Sequence, residues 1–286
     1  MTIIISLLLL ASLLPHLTFT AHVNMRIMNG KEVRPLSRPY MVSLQKSGKH
    51  FCGGFLISDQ FVLTAAHCWK GYDNLMVVVG AHDLRDSKSS DHISVKSYIP
   101  HPDYRPTNKP HHHDADIMLL KLKKKVKLNN KVGVIPLPKK GEDVKAACSV
   151  AGWGRLTGGS RSDLLMEAKV SIINNNECRN RWGELYSVSK MICVYGRGGT
   201  YKGDSGGPLV CGNTAVGITS FGSRHHRNTL ERPNVYTKIS KYIQWIKKVV
   251  WKCIVTSWKL KKEEMLFLNS SINVLSIKVS HGKHQL

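Results

Sequence analysis

Short apolar runs recur along most of the chain, and they constrain its fold more than any other feature. Each run is four to seven residues long, and turn-forming residues separate neighbouring runs. Many short runs of this kind, with few helical segments, indicate a β-barrel or a β-sandwich. The runs are 40–45, 51–57, 61–64, 75–79, 93–99, 116–122, 148–152, 168–173, 191–194, 208–211, 215–221 and 234–239.

One segment near the end has helical spacing instead. In KYIQWIKKVV (241–250) the apolar side chains repeat every three or four residues, which predicts a terminal helix packed on strands. Residues 251–286 show no clear period, so we treat them as a tail of unknown order. This tail contains Cys253 and a sequon for N-glycosylation at Asn269.

The first residues and the cysteines indicate an oxidising compartment. Residues 1–20 contain an apolar run from Ile3 to Leu14, too short to span a bilayer but typical of a secretory signal cleaved after Thr20 or Ala21. Seven cysteines behind such a signal indicate disulfides. Their odd number leaves one over, and Cys253 is the natural candidate. No later run is long enough to cross a membrane, and we expect no membrane partner.

The chain is strongly basic, with a formal net charge of +23 and a pI near 9.9. Such a charge attracts polyanions. DNA-binding signatures are absent, so we expect a sulfated glycosaminoglycan rather than nucleic acid; a role in solubility alone stays open. The histidine-rich stretch 101–114 has no cysteine or acidic pattern to complete a zinc site. We therefore predict neither a metal nor a cofactor.

Three separate motifs carry residues suited to nucleophilic catalysis. Residues 199–211 read GTYKGDSGGPLVC, with Ser205 between glycines; alone this is either a nucleophile on a strained turn or a glycine-rich corner. TAAHC (64–68) places His67 beside a cysteine at the end of an apolar run. DADIMLL (114–120) places Asp116 at a strand entrance, with Asp114 as a rival acid.

Taken in order, these motifs and AGWG (151–154) resemble those of the chymotrypsin-like serine proteases, and the resemblance extends from Ile27 to Val250. The order histidine, aspartate, serine excludes an α/β-hydrolase, in which the nucleophile comes first. The resemblance implies an all-β fold of two packed six-stranded antiparallel β-barrels with a C-terminal α-helix. It also implies a propeptide (21–26) and a protease domain (27–250) with its active site between the barrels.

The resemblance assigns a role to each motif residue. His67 is the general base and then the general acid, Asp116 orients it, and Ser205 attacks the scissile carbonyl. The backbone N–H groups of Gly203 and Ser205 form the oxyanion hole. The implied disulfides are Cys52–Cys68, Cys148–Cys211 and Cys178–Cys193.

Activation and substrate choice follow from the same resemblance. RIMNG (26–30) is similar to an activation junction, so an activating protease would cut after Arg26, and the amine of Ile27 would pair with Asp204. Gly199 at the floor of the specificity pocket carries no charge, which implies an uncharged P1 residue: aromatic, Leu or Met. The other implied substrate-binding residues are Thr200, Ser220, Phe221, Gly222 and Asn234.

We therefore expect a serine endopeptidase made as a zymogen, secreted or stored in secretory granules, acting on proteins or peptides. The chain lacks the disulfide that many relatives form beside the pocket, and in this respect it resembles the granzymes and mast-cell chymases. The alternative is a catalytically silent homologue that acts as a cationic glycan-binding or antimicrobial protein.

Overall fold

A computed structural model describes residues 30–71, 74–106, 113–142, 147–156, 159–196, 198–223 and 230–281. The predicted signal peptide, the propeptide and the junction at Arg26 and Ile27 lie outside these ranges. Residues 224–229 also lie outside these ranges.

The first half of the chain forms a closed, antiparallel six-stranded barrel with the strand order β2-β3-β4-β7-β6-β5. Its inward side chains are almost all aliphatic or aromatic, and Phe55, Leu63 and Leu120 are fully buried. Burial of this apolar surface is the main favourable contribution to barrel formation. The strands are β2 (Met41–Lys46), β3 (Lys49–Leu56), β4 (Phe61–Thr64), β5 (Met76–Val79), β6 (Asp91–Pro100) and β7 (Met118–Leu122).

The second half forms a second antiparallel barrel, in which β8 and β9 also pair and so close the sheet. The two-residue strand β1 (Lys31–Glu32) adds to the edge of β9. The structure therefore confirms the predicted fold class of two six-stranded antiparallel barrels. The strands are β8 (Cys148–Gly152), β9 (Met166–Ile172), β10 (Met191–Tyr195), β11 (Pro208–Cys211), β12 (Thr214–Phe221) and β13 (Asn234–Lys238).

Two helices accompany the barrels. Helix α1 (Asn175–Trp182) begins after Asn174, whose side chain caps it by accepting a hydrogen bond from the amide of Asn176 at 2.8 Å. Helix α2 (Ile239–His281) follows β13 directly. Its first turns bury Tyr242, Ile243 and Ile246 against the first barrel's core cluster.

The extent of α2 differs from the sequence expectation. We predicted a helix over 241–250 and treated residues 251–286 as a tail of unknown order, whereas the backbone stays helical through His281. Among the side chains described beyond Val250, Cys253 is partly buried against the core cluster, whereas Trp251, Ile254 and Trp258 are exposed. The apolar repeat that a buried helix face produces therefore ends near Val250, whereas the helical backbone continues beyond it.

Three disulfides brace the barrels: Cys52–Cys68, Cys148–Cys211 and Cys178–Cys193. These are the pairs that the resemblance implies. Cys52–Cys68 ties β3 to the short 3-10 helix that carries His67, and Cys148–Cys211 joins the adjacent strands β8 and β11. Cys253 is a free thiol on α2.

Candidate active site

His67 lies in a short 3-10 helix, Ala66–Cys68, directly after β4. The preceding residues of β4 and Ala65 are fully buried, so the helix starts from a rigid base. The disulfide of Cys68 holds its other end. His67 is thus fixed on both sides, with its imidazole partly exposed.

Asp116 is fully buried two residues before β7, and it contacts His67 twice. Its Oδ1 accepts the backbone N–H of His67 at 2.9 Å, and its Oδ2 lies 2.7 Å from Nδ1 of the imidazole. Ser220 of β12 donates its hydroxyl to the same Oδ2 at 2.5 Å. The carboxylate is therefore held in one orientation by groups from both barrels.

The pairing of His67 with Asp116 shifts both pKa values. Burial disfavours the imidazolium of His67, but the negative charge of Asp116 and their hydrogen bond outweigh it and raise the pKa of His67. Burial also disfavours the carboxylate of Asp116, but the charge and hydrogen bonds of His67 and the bond from Ser220 lower its pKa. The arrangement thus stabilises the imidazolium of His67 beside the ionised carboxylate of Asp116. A histidine that acts as a general base reaches this charge state after it takes a proton.

The backbone around Asp116 is strained on one side. Ala115 has a φ of 52°, in the left-handed region that side chains other than glycine, asparagine and aspartate seldom adopt. The amide of Ile117 donates to the carbonyl of Ala115 at 2.7 Å, which closes a tight turn over Asp116. Asp114, the rival acid, is exposed, and its carboxylate accepts from Lys190 at 2.8 Å. Asp114 is therefore directed away from His67.

Ser205 lies next to the His67 helix. Its carbonyl accepts the amide of Gly53 at 2.7 Å and lies 3.7 Å from Sγ of Cys68. Ser205 itself is half-buried. Ser205 from the second barrel is thus hydrogen-bonded to β3, and its carbonyl lies beside Cys68, the residue that follows His67.

Glycine is required at two positions of the GDSGG turn for different reasons. Gly203 has a φ of 105° and Gly206 a φ of 83°, both in the left-handed half of backbone space. A Cβ at Gly206 would also collide with Thr64 and with the carbonyl of Gly53. The two glycines let the turn that carries Ser205 pack against the first barrel.

Asp204 is almost fully buried beside Ser205. Burial raises the pKa of its carboxyl to about 6, although the amides of Tyr201 and Gly154 donate to it at 2.9 and 2.8 Å. Its predicted partner, the amine of Ile27, lies outside the described residues. A buried carboxylate with a raised pKa is suited to a cationic partner.

The predicted pocket residues lie on β12, β13 and the segment before Ser205. Gly199 and Thr200 are buried, and the amide of Asn234 donates to the carbonyl of Thr200 at 2.8 Å and to its hydroxyl at 2.9 Å. The Oδ1 of Asn234 is directed at Gly222, where any Cβ would lie 2.5 Å from it. Gly222 therefore leaves room for the side-chain amide of Asn234.

Sequence reasoning missed the ring contacts that His113 makes beside His67. His113 stacks on Phe221 with a ring separation of 4.5 Å and meets His67 edge-on at 6.4 Å. We had grouped it only with a histidine-rich stretch, and residues 107–112 of that stretch lie outside the described ranges. Its position directly before Asp114 was an available signal, because the loop that leads to Asp116 must pass near His67.

Comparisons with known proteins agree with this geometry. The family model described as Trypsin matches residues 27–246. Human cathepsin G is 39% identical over 250 residues, covering 84% of this chain and 92% of that protein, and human granzyme B is 42% identical, covering 78% and 91%. Bovine duodenase-1 is 42% identical, covering 77% and 88%.

A solved structure is similar as well. Neuropsin, a serine protease expressed in the limbic system of mouse brain, aligns with a TM-score of 0.71 and 37% identity. The alignment covers 77% of this chain and 98% of that structure. The family match ends at Ile246, so the greater part of α2 lies beyond it.

Proposed function

The chain belongs to the trypsin family of serine proteases, and from this premise we propose that it is an endopeptidase using His67, Asp116 and Ser205. The observation that carries the proposal is the buried Asp116 carboxylate, which binds both the backbone and the imidazole of His67. The carbonyl of Ser205 is hydrogen-bonded to Gly53 of β3 and lies beside the disulfide of Cys68. No other arrangement in the described residues combines a shielded acid, a histidine and a neighbouring serine.

The chemistry proceeds in two halves. Oγ of Ser205 attacks the carbonyl carbon while Nε2 of His67 takes its proton, and the carbonyl electron pair moves to oxygen. The tetrahedral intermediate collapses as His67 returns the proton to the leaving amine, which leaves an acyl-enzyme. Water then attacks the acyl carbon while His67 takes its proton, and the second tetrahedral intermediate collapses as His67 returns that proton to Oγ of Ser205, which releases the acid product. Asp116 stays ionised throughout and stabilises the imidazolium.

The oxyanion is stabilised by the N–H groups of Gly203 and Ser205. The left-handed φ of Gly203 supports this assignment, because such a turn directs successive amides into one concavity. Preorganised donors of this kind each contribute on the order of 10²–10³ in rate. No side chain is needed, and none is tolerated at Gly203, where a Cβ would lie 3.0 Å from Cα of Gly154.

The pocket favours an uncharged P1 side chain. Gly199 places no carboxylate at its floor, so a buried substrate Arg or Lys would be left without a counterion. Asn234 shortens the pocket with an amide that is fixed by its hydrogen bonds to Thr200, which disfavours the largest rings. The backbone at Ser220, Phe221 and Gly222 pairs with an extended substrate.

The protein is made as a zymogen and is secreted or stored in secretory granules. Cleavage after Arg26 frees the amine of Ile27, which pairs with Asp204 and orders the oxyanion hole. The buried Asp204 beside Ser205, with its raised carboxyl pKa, supports this role because a neighbouring cation would stabilise the buried carboxylate. Signal-like residues 1–20 support the compartment.

Two experiments test the function. The activated protein should react with a fluorophosphonate at Ser205, and the S205A variant should not; an unlabelled wild-type protein would favour the silent glycan-binding alternative. Cleavage of a peptide library should then occur after Leu, Met or aromatic residues. Dominant cleavage after Arg or Lys would contradict the pocket assignment while leaving the triad intact.

A further inference from the structure

We propose that the outer part of α2 binds the surface of an anionic lipid membrane. The region concerned runs from Lys247 to Lys262, and we call it the outer face of α2. Inner residues of the same helix, such as Ile246, are buried against the first barrel and keep the helix fixed to the body. This inference goes beyond the proteolytic function and does not depend on it.

The outer face exposes three large apolar side chains. Trp251, Ile254 and Trp258 are 68%, 53% and 62% exposed. They are three and four residues apart, so they lie along one side of the helix. A cluster of large apolar side chains on one side is unusual on a soluble surface and marks an interaction site.

Lysines surround this apolar stripe. From Ile239 to Lys262 the sequence has seven lysines and no acid, and Glu263 and Glu264 follow. Nζ of Lys262 lies 5.5 Å from the ring centre of Trp258. The lysines whose side chains are exposed are Lys241, Lys247, Lys248, Lys252, Lys259 and Lys262.

The charge and the apolar side chains of the outer face of α2 together indicate what it binds. A second copy would bring the same lysines against one another on a chain of net charge +23, and such like-charge contact opposes self-association. A sulfated glycan would satisfy the lysines, but it offers no apolar interior for Trp251, Ile254 and Trp258. An anionic bilayer satisfies both: its headgroups attract lysine, and tryptophan is favoured at its interface.

The mode of binding is interfacial. Among the described residues no helix is long and apolar enough to cross a bilayer. A helix that lies on the surface needs only an apolar stripe and basic flanks, so it requires no long apolar run. Our expectation of no membrane partner was based on the lack of an apolar run long enough to span a bilayer. That argument applies to spanning helices and does not address a helix that lies on the membrane surface.

The experiment measures co-sedimentation of the full chain with vesicles, alongside the blue shift of tryptophan fluorescence. Equimolar phosphatidylserine and phosphatidylcholine vesicles should bind the protein, pure phosphatidylcholine vesicles should not, and added salt should weaken the binding. W251S/W258S should bind about tenfold more weakly or worse, because two anchoring rings are lost. K252Q/K259Q/K262Q should lose the preference for phosphatidylserine.

Matched controls distinguish binding through the outer face of α2 from binding caused by the overall charge or hydrophobicity of the surface. L36S/L128S removes exposed apolar side chains elsewhere, and K123Q/K124Q/K127Q removes the same charge from the segment after β7. Both should bind as the wild type does, and circular dichroism should show all variants folded. Equal binding by W251S/W258S and the wild type, no vesicle binding, or binding to heparin alone would overturn the proposal.

Discussion

At the scale of single residues, the site depends on the buried carboxylate of Asp116. Groups from three different segments converge on this residue: the amide and ring of His67, the hydroxyl of Ser220, and the hydroxyl of Thr237, which donates to its carbonyl at 2.9 Å. An ionised acid without these donors would be expensive to bury. The same contacts that stabilise the carboxylate hold the imidazole in place.

We predict that Asp116→Asn lowers kcat/KM roughly 10⁴-fold, because the imidazolium loses its counterion and the tautomer is no longer fixed. The residual activity should also persist to lower pH. His67 acts as a base only when neutral, Asp116 raises its pKa, and removing the charge lets that pKa fall. The measurement is the pH profile of kcat/KM on a peptide substrate.

Asp114→Asn provides the matched control, because Asp114 is two residues away but pairs on the surface with Lys190. This variant should keep kcat/KM within about threefold, as expected for a surface ion pair. A comparable loss in both variants would contradict the assignment of Asp116 as the acid that orients His67.

At the scale of elements, the turn between β10 and β11 is shaped by what it packs against. Its carbonyl at Ser205 accepts from β3, and Gly206 donates its own amide to Thr219 of β12 at 2.8 Å. These bonds tie the turn to both barrels. The glycines are therefore needed for close packing as much as for turn geometry.

We expect Gly206→Ala to destabilise the fold by about 3 kcal/mol or more, since its Cβ meets backbone as well as a side chain and the left-handed φ adds strain. Gly212→Ala is the control: its φ is 59° but nothing lies within 4 Å, so about 1 kcal/mol of strain alone should appear. Chemical denaturation measures both. Similar losses in the two variants would show that packing against β3 and β4 is unimportant.

At the scale of the whole molecule, the two barrels are joined by a partly buried polar cluster on the side of Arg38. Its guanidinium donates to Glu167 of β9 at 3.0 Å, to Ser149 of β8 at 2.9 Å and to Tyr40 at 2.8 Å. The side chains of Arg38 and Glu167 are 19% and 18% exposed. The cluster connects the segment before β2 with the second barrel.

We predict that Arg38→Ala lowers the free energy of unfolding by about 3 kcal/mol, because Glu167 loses its main counterion in a poorly hydrated site. Arg85→Ala, which breaks the exposed pair with Asp83, should cost less than about 1 kcal/mol. Thermal unfolding of both variants is the measurement. An equal effect would mean that the Arg38 cluster is no more than a surface ion pair.

The sequence was sufficient to locate the strands. Each of the twelve short apolar runs coincides with one of the strands β2 to β13, because a run of that length fits one side of a barrel and must be buried. Strand β1 was missed because two residues carry no period. Helix α1 was missed because its residues are mostly polar and Cys178 is its one buried side chain.

What the sequence determined by itself was local: which segments are strands, which residues carry reactive groups, and in what order they occur. The contacts were decided only by the tertiary structure. The bond from Ser220 to Asp116 spans 104 residues, and the stacking of His113 on Phe221 also joins segments far apart in the chain. Periodicity reports the environment along one segment, whereas such contacts depend on how two closed barrels meet. The outer face of α2 was missed because three apolar residues at helical spacing define a face only once the helix is known to continue past Val250, and only the structure shows that these side chains are exposed.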